Sequence, residues 1–118
     1  MKPRFSHRML TAAGAFFAAA GVALSAYAAH AAEASARAGL QSAAIIALVH
    51  GVALAALSRQ TTRRAGMLAL WLLAVGVLLF SGSLTAAHLF ATPTTFAPMG
   101  GTLMIVGWLL YAIDALRR

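Results

Sequence analysis

The sequence has no cysteine and only two acidic residues, Glu33 and Asp114. The first absence removes disulfides, thiolate catalysis and cysteine-ligated zinc or iron–sulfur centres together. The second leaves general acid–base hydrolysis without a carboxylate pair. Charge of either sign is scarce: 9% of the 118 residues are charged, against 62% hydrophobic, where a soluble domain carries roughly a quarter charged residues. Such a chain cannot cover a globular surface with polar groups, and lipid is its expected solvent. HExxH, GxSxG, Walker A and Rossmann patterns are missing as well. The chain reads as one domain, not an enzyme and with no cofactor.

What is present is apolar length. A bilayer core of about 30 Å needs about 20 apolar residues per helix, and the chain supplies four such runs: Met9–Ala29, Ala38–Leu57, Gly66–Phe90 and Pro98–Leu116. The connecting segments HAAEASAR, SRQTTRRA and ATPTTFA are short, which predicts antiparallel neighbours. A soluble bundle needs a polar face on every helix, and GMLALWLLAVGVLLF, residues 66–80, has none. The predicted fold is all-α, an integral membrane four-helix bundle.

The formal charge of +7 would suit nucleic acid if it formed a patch, but its distribution suits a membrane. Lys2, Arg4 and Arg8 precede the first run, Arg59, Arg63 and Arg64 lie between the second and third, and Arg117 and Arg118 follow the fourth; only Arg37 lies elsewhere. Eight basic residues against one predicts that both termini are cytoplasmic. The partner of the basic flanks is then anionic lipid rather than nucleic acid. KPRFSHR followed by AYAAHAA also has the outline of a cleavable secretory signal. The first run exceeds the usual 7–15-residue apolar region of such signals, so its retention is expected.

Helices in lipid associate through close packing and a few hydrogen bonds, so small residues should mark the contacts. Gly14, Ala18, Gly21 and Ser25 align on the first helix, and Ala43, Ala47, His50, Leu54 and Leu57 on the second. Ala69, Leu73, Gly76, Phe80 and Ser83 align on the third, and Gly100, Met104, Gly107, Tyr111 and Asp114 on the fourth. Spacings of seven favour left-handed crossings near +20°. Gly82 and Gly101 join the candidate packing positions.

Few polar residues interrupt the runs. Ser81, Thr85 and His88 share one helical stripe, with Ser83 facing away. The two hydroxyls are expected to bond back to their own helix while His88 reaches interfacial water; the competing reading is a hydrated funnel. His50 lies close to the membrane midplane, where ionisable residues mark functional sites by default. Neutral imidazole is also structural there if both nitrogens find partners. Asp114 is within axial reach of His50, though pairing with Arg117 or Arg118 is the simpler expectation. His30, Glu33 and His88 offer enough ligands for a metal, but nothing in their spacing makes them converge, and no metal site is expected. His7, in the basic flank, reads as surface.

GVALSAYAAHAA, AAIIALVHGVALAAL, and FSGSLTAAHLF followed by APMGGTLMIVGWLL resemble the small YgdD-like inner-membrane proteins, the domain-of-unknown-function family numbered four-two-three. The most specific elements are FSGSL and the later Pro98, Gly100, Gly101, Gly107 and Trp108. Thr85 stands where an aromatic usually follows FSGSL, and Ala28 where a glycine usually precedes Ala-His. The resemblance implies a four-helix protein of the bacterial inner membrane, retention of the first helix, and weight on His30, His50 and the FSGS segment. It implies no substrate. A non-enzymatic packing or accessory protein, working alone, with a membrane-protein partner or as a homo-oligomer, is the expected function; a small-solute, proton or metal pathway past His50 is the alternative.

Overall fold

The computed structural model describes residues 3–30 and 32–117. They form four helices: α1 (Pro3–His30), α2 (Ala34–Leu57), α3 (Arg64–Phe90) and α4 (Phe96–Leu116). Each is long and apolar enough to cross a membrane, and no strand occurs among the described residues. The helices begin two to six residues before the apolar runs they contain, because helical backbone continues into the polar flanks where side chains reach water. Pro98 occupies the first turn of α4, where its missing N–H breaks no helical hydrogen bond. None of α2, α3 and α4 has a side-chain N-cap bond.

Packing is organised as two hairpins. In the first, α1 lies on α2 with Gly14 against Gly51; a Cβ on Gly14 would sit 2.6 Å from the Gly51 carbonyl oxygen, and one on Gly51 2.5 Å from that of Gly14. Gly21 makes a second close approach, to Ala44 and Leu48. In the second hairpin, Gly76 of α3 meets Gly100 and Met104 of α4, while Gly107 meets Ala69 and Leu73. At such distances only hydrogen fits, which is what lets two backbones touch and gain dispersion contact. The seams expected on α1, α3 and α4 hold these crossings. Gly51, which completes the first, was outside every expected stripe.

Three expected packing positions fall elsewhere. Gly82 and Gly101 would each meet nothing within 4 Å if given a Cβ: both point away from the helix crossings. Ser25, expected on the α1 seam, is exposed, because α1 and α2 close on each other through the Gly14 and Gly21 face alone.

The hairpins join through α2 and α3. Leu54 of α2, Leu70, Leu73 and Val77 of α3, Leu10 of α1 and Met104 of α4 form the main core cluster. The outward faces are apolar too, Phe16 and Phe90 being 74% exposed, in keeping with four helices apolar enough to cross a membrane. The bundle is 47 Å long and 23 Å across.

Adjacent glycines on α4 give a test with opposite signs. Gly100→Ala forces a Cβ against the backbone of Phe80 and Gly76, and overpacking costs of about 1–3 kcal/mol should outweigh a helix-propensity gain of about 1 kcal/mol. Gly101→Ala gains the propensity with no clash. Unfolding of the two purified variants in mixed detergent should place Gly100→Ala below wild type and Gly101→Ala at or above it.

Candidate functional site

His50 is 8% exposed on α2, and both of its ring nitrogens are occupied. Nδ1 lies 2.9 Å from the Ile46 carbonyl oxygen, and the Trp108 indole N–H of α4 donates to Nε2 at 3.0 Å. A carbonyl only accepts and an indole N–H only donates. Nδ1 therefore carries the hydrogen, Nε2 presents its lone pair, and the imidazole is neutral with one tautomer fixed. A proton added at Nε2 would face the indole N–H and break that bond. The rings are tilted by 57° with centroids 5.8 Å apart, and Tyr111 packs edge-on to Trp108 at 6.2 Å. Trp108 thus reaches from the second hairpin to the first. The sequence singles out His50 but not this partner; the signal, a tryptophan just past the middle of an apolar run, does not say which way the ring points.

Both hydroxyls of the Ser81, Thr85 and His88 stripe depart from expectation, while His88 stays part-exposed. Ser81 Oγ donates across the hairpin boundary to the Ala43 carbonyl of α2 at 2.8 Å, instead of back to its own helix. Thr85 Oγ1 makes no backbone bond and is buried without a partner, as is Ser83 Oγ. His88 Nε2 lies 3.0 Å from the Tyr27 hydroxyl of α1, with the rings 5.6 Å apart and edge-on. The three residues do line one space, a side groove of about 660 Å³ between α1, α2 and α3. Its walls are mostly apolar, Phe16, Phe17, Leu24 and Val77 among them. At its mouth a polar cavity of about 720 Å³ shares Tyr27, Leu40 and His88 with it and adds Glu33 and Ser35.

At the other end of the bundle Asp114 is bound by Arg63, not by Arg117; Arg118 lies outside the described residues. Arg63 Nε donates to Asp114 Oδ1 at 2.8 Å, with side-chain exposures of 48% and 4%. The guanidinium stays partly in solvent while the carboxylate sits inside beside Gly66, so α4 is held to the start of α3. His50 and Asp114 form no contact, since His50 spends both nitrogens elsewhere.

The same end contains a polar layer that composition and helical period do not predict. His7 Nε2 donates to the Thr61 carbonyl at 2.7 Å. Thr11 Oγ1 donates to the His7 carbonyl at 2.8 Å, which leaves the Ser58 hydroxyl to donate to Thr11 Oγ1 at 2.7 Å. Thr61 Oγ1 donates to the Leu57 carbonyl, and Ser58 and Thr61 are buried. His7, expected at the surface, is half-buried and fastens α1 to the α2–α3 loop.

His30 ends α1 and is exposed, as is Glu33. Among the described residues no three histidine, cysteine or acidic side chains approach closely enough to hold a metal ion, so His30, Glu33 and His88 do not assemble as a ligand set.

A family model described as protein of unknown function (DUF423) matches residues 10–101. The matched span includes His50 and the FSGS segment and stops short of Gly107 and Trp108. No curated protein matches the chain, and no solved structure does.

The His50–Trp108 bond predicts non-additive mutants. Trp108→Phe strands Nε2 of the buried His50, costing about 1–3 kcal/mol, and His50→Leu strands the indole N–H of the more exposed Trp108 at a smaller cost. The double variant strands neither. Unfolding of the four proteins should show a double variant more stable than the sum of the singles by about 0.5–2 kcal/mol; simple additivity would show that the bond does not form.

Proposed function

The chain belongs to the DUF423 family of proteins of unknown function, and from that premise we propose that it is a multi-pass protein of the bacterial inner membrane, acting by packing and not by catalysis. Neighbouring helices run antiparallel across the bilayer with both termini in the cytoplasm, and the companion is lipid together with a membrane protein or a second copy. The eight-to-one basic asymmetry supports the topology. So does the local fate of Arg37, the one exception. Its guanidinium donates to the Ala28 and Ala32 carbonyls at 3.1 and 3.3 Å, neutralising the negative C-terminal end of α1. Arg37 is tied to the protein and leaves the basic flanks to meet anionic lipid.

The observation that carries the packing reading is the occupancy of His50. A pathway needs an imidazole that exchanges its proton or ligand with water. Here one nitrogen is spent on α2 and the other holds α4, so the residue joins helices. Ser81, the deepest hydroxyl of the stripe, joins α3 to α2 in the same way.

The absence of native cysteine makes single-cysteine variants clean reporters. With the protein in sealed vesicles, a water-soluble thiol reagent should label His88→Cys from the outer side and leave Ser81→Cys unmodified. Rapid labelling of Ser81→Cys, slowed by His50→Trp, would replace the packing reading with the pathway. Reporter fusions after Leu116 and within residues 91–97 should report opposite faces, the former cytoplasmic. A C-terminal fusion active on the outer side would overturn the topology.

A further inference from the structure

The groove beside α3 and the polar cavity at its mouth together have the form of an amphiphile. The groove is apolar along its length and, at about 660 Å³, falls within the range of ligand pockets, roughly 300–1,000 Å³. It meets the polar cavity at Tyr27 and His88, which line both. These two residues retain a free donor whichever way their bond runs. If Tyr27 donates to Nε2, His88 Nδ1 carries a hydrogen to offer; if His88 donates, the tyrosine hydroxyl is free. Beyond them the polar cavity holds Glu33, whose exposed carboxylate makes no ion pair or cap bond among the described residues. One turn below His88, about 4.5 Å along the axis, Thr85 lines the groove, and its buried hydroxyl is left without a partner in the protein. Threonine in a helix divides between two rotamers, so this hydroxyl can turn to a group in the groove.

We propose that this site holds one phospholipid with an ammonium-bearing headgroup, taken laterally from the leaflet on the Tyr27 side. An acyl chain lies against Phe16, Phe17 and Val77, an ester carbonyl accepts from Thr85, and the phosphate accepts from the Tyr27–His88 pair. The ammonium pairs with Glu33. The order of chemistry along the site (hydrocarbon, lone hydroxyl, paired donors, carboxylate) matches the order along such a lipid. It also accounts for Gly82, which lines the groove and touches no other helix: its hydrogen keeps the space open for the acyl chain. The proposal rests on membrane insertion as read above.

The test uses the full chain reconstituted in vesicles of equal phosphatidylethanolamine and phosphatidylglycerol, extracted in mild detergent and weighed intact by native mass spectrometry. Wild type should retain one phosphatidylethanolamine per chain. A Cβ at Gly82 meets nothing within 4 Å, and Gly82→Leu, which carries its side chain into the groove, should lower retention about tenfold, within the cost of an added side chain in occupied space. Gly101→Leu, open-faced but away from the groove, should retain lipid as wild type does and serves as the folding control. Glu33→Gln should keep one lipid and lose the preference for phosphatidylethanolamine. Equal retention by Gly82→Leu and wild type would overturn the site, as would extraction of wild type as a lipid-free dimer. Phosphatidylglycerol bound as readily as phosphatidylethanolamine by wild type would overturn the headgroup assignment. Inserted protein without lipid sinks this inference alone, whereas protein that fails to enter vesicles sinks the membrane reading with it.

Discussion

Two backbone contacts, Gly14 on Gly51 and Gly76 on Gly100, set the terms for the rest of the molecule. An apolar helix surrounded by hydrocarbon gains nothing by burying leucine against leucine. It gains only what contact adds beyond lipid, and contact is greatest where no side chain intervenes. The two glycine crossings bring α1 to α2 and α3 to α4 along their lengths. The α2–α3 boundary has no such crossing, and there the structure uses polar bonds instead.

That division explains where the polar side chains are. Ser81 bonds to Ala43, and Trp108 to His50; both bonds cross from one hairpin to the other. At one end, His7, Thr11, Ser58 and Thr61 tie α1 to the loop between the hairpins, while Arg63 ties Asp114 of α4 to the start of α3. Hydrogen bonds within membranes are individually modest, about 0.6 kcal/mol on average, but each has a direction. Glycine contacts permit sliding; a fixed donor and acceptor do not. The polar residues therefore specify how two hairpins register, which dispersion alone leaves loose.

The four apolar helices, most of their small-residue seams and the burial of His50 were legible in the sequence because each depends on local composition or on helical period. The partners were not. Whether Ser81 bonds to its own helix or to Ala43, and whether Asp114 meets Arg117 or Arg63, depends on the rotation of each helix about its axis. Apolar runs fix that rotation poorly, since every face is equally greasy. His7 was misread for a related reason: a basic flank looks solvated, yet α1 continues through it and carries the imidazole to Thr61. Gly51 escaped because the α2 stripe passing through His50 lies beside it, and only the position of α1 distinguishes the two. Gly82 and Gly101 show the converse, glycines that suggest packing by type and have open space by geometry.

The bundle is consequently unequal along its length. Toward the α2–α3 loop, Leu10 enters the shared core and the polar layer binds α1, so three helices close on one another. Toward the other end α1 keeps its grip on α2 through Gly21 but leaves α3, and the groove occupies the difference, bridged by Tyr27 and His88. Local stability follows buried contact, so the closed end should hold while the grooved end adjusts. The glycine crossings and the polar layer fix one part of the fold, and the separation of α1 from α3 leaves another part open to its surroundings.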